Sequence, residues 1–417
     1  MTRSRRLPAG ALGLVLLGLP VLASVAADAA PAAGLVRVLP PTEAVFGDKL
    51  RHAAATTSAG TFPVEARPGA TTWTTAGAWH WAAGFVPGQL WEMYRSTRDP
   101  QWRRLAETID TTLPREARDT RPHDLGFMLA SPYVPAYAST GDVMYADLLR
   151  TGARSLDTHW RAGPGVLWSW PAAPGRVQVV VDSLMNMELL FWAAEHGGSA
   201  TLRAHARSHV LRLARDAMRP DGSTVHVLDY DEVSGQLLGT HTAQGFSDDS
   251  AWARGQAWFV TGLIQAYAHT HDRALLDAAR AAARYYIDHL PADGVPYWDL
   301  SAPAGTATPR DTAAGAVAAY GLRLLAQTDP SPDLAMAWRA AASRTVLALL
   351  KPPYLAPASH PAVLTHAAHG QKGVAMQEET SFPYADYYLL KSMLAAPRLT
   401  PSYRWGRGTG SLDAVRR

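Results

Sequence analysis

The 417-residue chain predicts an all-α fold, an α/α barrel of about six helical hairpins. Two observations carry the prediction. Six runs are apolar around nearly the whole helical circumference, whereas five others carry one apolar stripe among arginines, and the two kinds alternate. Short turns join the members of a pair, and longer loops separate successive pairs. Such hairpins close into a ring with the uniformly apolar helices inside and the striped ones outside.

The inner runs lie near 84–97, 124–139, 182–196, 249–269, 311–327 and 383–395, and the outer runs near 100–112, 142–160, 199–217, 272–289 and 333–350. Turns such as "STGD" (139–142) and "EHGGSA" (195–200) end one helix with glycine and open the next with a capping residue. In the 124–139 run, Pro132 and Pro135 should break or kink the helix. Residues 30–75, rich in Ala, Thr, Pro and Gly, are expected to wrap the surface of a barrel spanning 76–397, with 398–417 as a tail of coil.

Composition narrows the function. With 18% charged and 47% apolar residues the chain is globular. Residues 1–29 follow the plan of a signal peptide: Arg3, Arg5 and Arg6, an apolar stretch, then small residues with an Ala-x-Ala site at Ala27–Ala29. Pro20 and the small-residue end favour cleavage over a retained membrane anchor, so no stable membrane anchor is expected. Removing the segment takes away three arginines and one aspartate, and the net charge of +3 falls to +1. No nucleic-acid partner is implied by so small a charge. The absence of cysteine excludes disulfides, thiol catalysis and Cys-ligated zinc. Fourteen tryptophans are enough to build a core and also to line faces that stack on sugar rings.

The stretch "QGFSDDSAWARGQAWFVTG" (244–262) reads as a helix start, with Ser247, Asp248 and Asp249 as capping and first-turn residues. Two adjacent aspartates without His partners at ligand spacing favour capping over a metal site. Arg254 and Gln256 then stand in an apolar run, where a guanidinium needs either an internal partner such as Asp248 or Asp249, or an anionic ligand. Every inner helix starts after a long loop, so the inner N-termini gather at one end of the barrel. His123, Asp124, Asp182, Asp248, Asp249 and Arg254 collect there, which places the pocket at that end.

The stretches "WHWAAGFVPGQLW" (79–91), "HDLGFMLASPYVPAYASTGD" (123–142), "VVVDSLMNMELLFWAAE" (179–195), "HTAQGFSDDSAWARGQAW" (241–258), "VPYWDL" (295–300) and "YADYYLLKSML" (384–394) agree in order and spacing with a known family over about 320 residues. The chain resembles the unsaturated glucuronyl hydrolases, glycoside hydrolase family 88. The resemblance implies an (α/α)6 barrel acting on oligosaccharides left by polysaccharide lyases, from which it removes the 4,5-unsaturated uronic acid at the non-reducing end. It implies no metal or organic cofactor. The implied chemistry is hydration of the vinyl ether: protonation at C4 and water addition at C5 give a hemiketal, which rearranges with loss of the aglycone.

By the same resemblance Asp182 is the group that supplies and removes protons, and Asp124 the second carboxylate. From the residues alone, Asp182 and Asn186 line one side of a helix at i, i+4, which makes Asn186 a candidate substrate contact, and Asp124 or Asp182 could instead be a helix cap. A position at a helix N-terminus lowers a carboxyl pKa, so an acid there needs burial or a second negative charge to raise it again. Arg254, Gln244, His123 and His226 match family positions that meet the sugar. Trp81, Trp252, Trp258 and one of Trp168 or Trp170 are candidate stacking walls, with core packing as the alternative, and Gln256 is structural. In "HAAHGQKGVAMQEETSFPYADYY" (366–388) the chain departs from the family pattern, and Lys372 there could meet a substrate anion or stay solvated. Three other functions compete: an unsaturated galacturonyl hydrolase of a related barrel family, an inverting glycosidase with two separated carboxyls, and a non-catalytic exported sugar-binding protein.

Overall fold

Twelve helices of the described residues pair into six hairpins, and the pairing is completed by the two ends of the barrel sequence. The structure, a computed structural model, describes residues 39–303, 305, 308–371 and 374–395. The signal-peptide segment, Lys372 and the tail from 398 lie outside the described residues.

The inner ring runs α2 (Phe85–Thr97), α4 (Ser131–Thr140), α6 (Ser183–Glu195), α8 (Ala253–Thr270), α10 (Thr312–Thr328) and α12 (Pro383–Leu394); successive members pack together, α4 reaching α6 through the segment Gly126–Ala130 that precedes it, and α12 closes on α2. Outside them lie α3 (Pro100–Ile109), α5 (Val143–Asp157), α7 (Ala200–Asp216), α9 (Arg273–Asp288) and α11 (Pro332–Leu349). Side-chain caps start these five outer helices: Asp99, Asp142, Ser199, Asp272 and Ser331 each accept a backbone N–H one or two positions inside the first turn.

The sixth outer helix is α1 (Thr42–Thr56), which packs on α2 and α12. It lies in the stretch read from composition as a surface wrapping. Its apolar stripe is narrow: Phe46, Leu50 and Ala53 are buried, and the rest is mostly polar or small. That spacing of four and three is the one helical signal in a segment otherwise rich in loop-forming residues.

The two prolines of the 124–139 run are accommodated without ending the element. Gly126–Ala130 winds as a π-helix and leads into α4, with Pro132 in its first turn and Pro135 inside it. Pro135 cannot bond the carbonyl of Ser131, which accepts the Tyr387 hydroxyl at 3.4 Å instead.

The long loops are not coil. They fold into small antiparallel sheets at the N-terminal end of the inner helices: β1 (Thr61–Glu65) with β2 (Thr74–Gly77), β3 (Trp160–Arg161) with β4 (Val166–Leu167), and β8 (Ala367–Gln371) with β9 (Val374–Thr380). The largest has three strands in the order β5 (Arg176–Val180), β6 (Val227–Asp231), β7 (Leu237–His241). Val180 pairs with Val227, and Val227 with His241. This register brings the ends of three loops, at residues 181–182, 226 and 242–244, to one place.

Candidate active site

Asp182 leaves β5 and enters α6, with its backbone already helical (φ −59°, ψ −26°) and its side chain making no capping bond. The capping alternative therefore does not describe it. The side chain keeps 21% of its surface open, and Oδ1 is buried with no hydrogen-bond partner among the described residues. Burial, and then the charge of Asp124, push its pKa up to about 7, while Arg254 pulls the other way. Both influences expected to offset the helix N-terminus are thus present, and burial leads.

His226 lies across from it. Val181 N–H bonds the His226 carbonyl at 2.9 Å, which continues the β5–β6 ladder to the site. The ring is 1% exposed, and burial followed by the Arg254 charge pushes its pKa down to about 3, so it is neutral. Its Nδ1 accepts the Ala243 N–H at 3.2 Å, which assigns the ring proton to Nε2. Nε2 faces Asp182 Oδ1 at 4.0 Å, too far for a direct bond, and is also without a partner. Two facing buried polar atoms left open in this way mark a place for a ligand.

Asp124 is held from behind. Asn186 donates its amide to Asp124 Oδ1 at 3.1 Å and accepts the Phe127 N–H at 3.0 Å. Asn186 is fully buried, so it positions Asp124 and offers the substrate nothing directly, contrary to its expected place among the substrate contacts. The approach is close enough that a Cβ on Gly126 would lie 2.4 Å from the Asn186 Cα. His123 Nε2 sits 3.3 Å from Asp124 Oδ1 on the exposed side.

Arg254, in the first turn of α8, has an internal partner, and it is neither Asp248 nor Asp249. Its Nη1 donates to Asp311 Oδ2 at 2.6 Å and to the Ala368 carbonyl at 2.9 Å, and Nη2 to Gln244 Oε1 at 3.3 Å. Asp311 is fully buried, and its other oxygen caps α10 through Ala313 and Ala314 N–H. Gln244 is thereby oriented with its amide nitrogen left to donate. A buried acceptor, Asp299 Oδ2, pins the same loop through Phe246 N–H at 2.8 Å and Ser250 Oγ at 2.6 Å.

Helix α8 begins at Ala253, later than the sequence reading, because Asp248 Oδ1 accepts the Thr242 N–H at 2.8 Å and closes the loop that carries Gln244. Gln256 is structural as expected: fully buried, it bonds Thr224, Gly222 and Ala282.

The aromatic candidates divide. Trp252 backs the site, 4.5 Å from the His226 ring and 4.9 Å from the Arg254 guanidinium. Trp170 reaches His226 edge-on at 5.8 Å, whereas Trp168 stacks on His159. Trp81 is half-buried between Phe127 and Tyr384. Trp258 is 1% exposed and packs on Phe127 and Tyr388 in the core, leaving no face for a sugar.

Sequence reasoning missed two participants. Asp311 reads in the sequence only as the start of an inner run, and Tyr384, whose ring lies 5.7 Å from the Arg254 guanidinium, only as part of a motif. No group of three or more His, Asp or Glu is arranged to hold a metal among the described residues.

Comparison with known proteins identifies the family. The family model for Glycosyl Hydrolase Family 88 matches residues 57–298. An unsaturated glucuronyl hydrolase of Formosa agariphila is 33% identical over 58% of this chain and 62% of its own length. One of Bacillus sp. strain GL1 is 31% identical over 79% of this chain and 89% of its own. The crystal structure of an unsaturated glucuronyl hydrolase specific for heparin superposes with a TM-score of 0.79 at 30% identity, covering 85% of this chain and 95% of that one. With Asp124, Asp182, His226, Gln244 and Arg254 gathered inside the matched region, the chain belongs to Glycosyl Hydrolase Family 88 and is a glycoside hydrolase.

Proposed function

We propose that this enzyme removes a 4,5-unsaturated glucuronyl residue from the non-reducing end of lyase-generated oligosaccharides by hydrating its double bond. The carrying observation is the Asp182 carboxyl, unpartnered, raised to about 7 and facing the His226 N–H. At neutral pH such a group is partly protonated and can give its proton to C4. Positive charge then develops at C5 and the ring oxygen, which the nearby Asp124 carboxylate favours. Water adds at C5 as the Asp182 carboxylate takes its proton, and the hemiketal opens to release the aglycone. Arg254 and the Gln244 amide supply donors for the uronate, and Asp311 holds the guanidinium without occupying all of its N–H groups.

Relatives named for heparin and for chondroitin disaccharides make glycosaminoglycan products the first substrates to try. The test is ultraviolet absorbance of the conjugated double bond during incubation with unsaturated disaccharides from glycosaminoglycans, gellan, ulvan and pectin. Loss of absorbance supports hydration. Release of a still-unsaturated sugar would establish ordinary hydrolysis instead, and turnover of pectin fragments alone would favour the galacturonyl reading.

Export is part of the proposal, on the pattern of residues 1–29. N-terminal sequencing of protein from the periplasm or medium should begin near Ala30; an intact Arg3–Arg6 segment on cytoplasmic protein would overturn it.

A further inference from the structure

Among the described residues are all eight phenylalanines and thirteen tryptophans, and only Trp79 (66%) and Phe246 (41%) are exposed. Single exposed apolar side chains are common, so their position decides what they mean. Both stand on loops that lead into inner helices, at the end of the barrel that holds Asp124 and Asp182. Trp79 is two residues before Trp81, and Phe246 two after Gln244.

Trp79 is held in place. The His80 N–H bonds the Gly77 carbonyl at 3.1 Å, making a turn with Trp79 as its third residue. The indole folds back over Gly77, where a Cβ would come within 2.8 Å of Nε1, so glycine leaves the space the ring occupies. The rings then form a series leading inward: Trp79 to His80 at 5.8 Å, His80 to Trp81 at 6.2 Å, and Trp81 to Tyr384 at 4.9 Å. An indole at the tip of a turn, oriented yet open to water, suits the apolar face of a sugar ring.

We propose that Trp79 is an outer stacking platform for the substrate, meeting a sugar beyond the one bonded to the unsaturated residue. The inference rests on the reaction proposed above, in which the non-reducing end lies inside and the remaining chain must leave through the mouth. Trp79 lies two ring contacts out from the site wall at Trp81, at 5.8 and 6.2 Å between centroids, so the sugar it would meet belongs to a longer oligosaccharide.

The experiment compares kcat/KM on an unsaturated disaccharide and a tetrasaccharide from the same polysaccharide, using wild type, Trp79→Ala and Trp79→Phe. With Trp79→Ala, the disaccharide should change by less than about twofold, while the tetrasaccharide loses about fivefold or more through KM. Trp79→Phe should recover part of that loss. Equal losses on both substrates, or no loss on either, would remove the platform while leaving the reaction standing. If the wild type consumes neither substrate, the reaction itself fails and the platform with it.

Discussion

At the scale of single residues the chemistry depends on one carboxyl. Asp182→Asn removes the proton donor while the cap-free start of α6 has no bond to lose. Its activity should fall by about 10²–10⁴ with the melting temperature near wild type; activity within a few-fold of wild type would move the catalytic role to Asp124. The proton must be present in the free enzyme, so kcat/KM should decline as pH rises through about 7. Asp124 raises that pKa through its charge, and Asp124→Asn should therefore shift the alkaline limb of the profile to lower pH, in addition to slowing the reaction. An unmoved limb would show that burial alone sets the value. Arg254 is more than a substrate contact, because its loss strands Asp311 in the interior. Arg254→Ala should cost about 3–5 kcal/mol of stability and also raise KM. Adding Asp311→Asn should restore much of the melting temperature but not KM, and recovery of both would mean that Arg254 does not touch the uronate.

At the scale of elements, the site is assembled by strands that prepare the inner helices. The β5–β6–β7 register sets Asp182, His226 and Gln244 side by side, and the π-helical turn at Gly126 presses Asp124 against Asn186. A search for helical period passes over such strands, which are five residues each and carry a period-two pattern instead, as with Val177 and Val179 of β5, both buried on one face. Helix α1 illustrates the opposite case, a signal that was present and thin. Phe46 is fully buried where α1 packs on α2 and α12, so Phe46→Ala should destabilise by about 3–5 kcal/mol, measured by denaturant unfolding. A loss below about 1 kcal/mol would mean that α1 lies on the barrel without closing it.

For the whole molecule, one ring of inner helices collects six N-termini and their loops at a common mouth, while buried ionisable groups elsewhere tune stability. Asp110 accepts the Tyr133 hydroxyl at 2.8 Å, and burial pushes its pKa up to about 8 from an ordinary 3.8. The folded state binds this proton more tightly than the unfolded one. The stability it contributes is therefore complete below pH 3.8 and lost as pH rises through about 8. Asp110→Asn keeps an acceptor for Tyr133 and should flatten the fall in melting temperature between about pH 4 and about pH 8; an unchanged slope would assign the fall to other groups such as Asp386, raised to about 7.

By itself the sequence determined the alternation of inner and outer helices, and hence the barrel and the end at which it opens, because both follow from periodicity and loop length within short windows. It also determined which residue types stand at the inner N-termini, including Asp124, Asp182 and Arg254. Tertiary structure decided their partners and charge states. Arg254 meets Asp311, 57 positions away, and not the adjacent aspartates. Asn186 turns from a substrate contact into the support of Asp124, and Trp258 from a stacking wall into core. The Asp182 pKa depends on burial and on a carboxylate from another hairpin. Electrostatic environment is a sum over neighbours in space, and which neighbours those are is settled only when the ring closes.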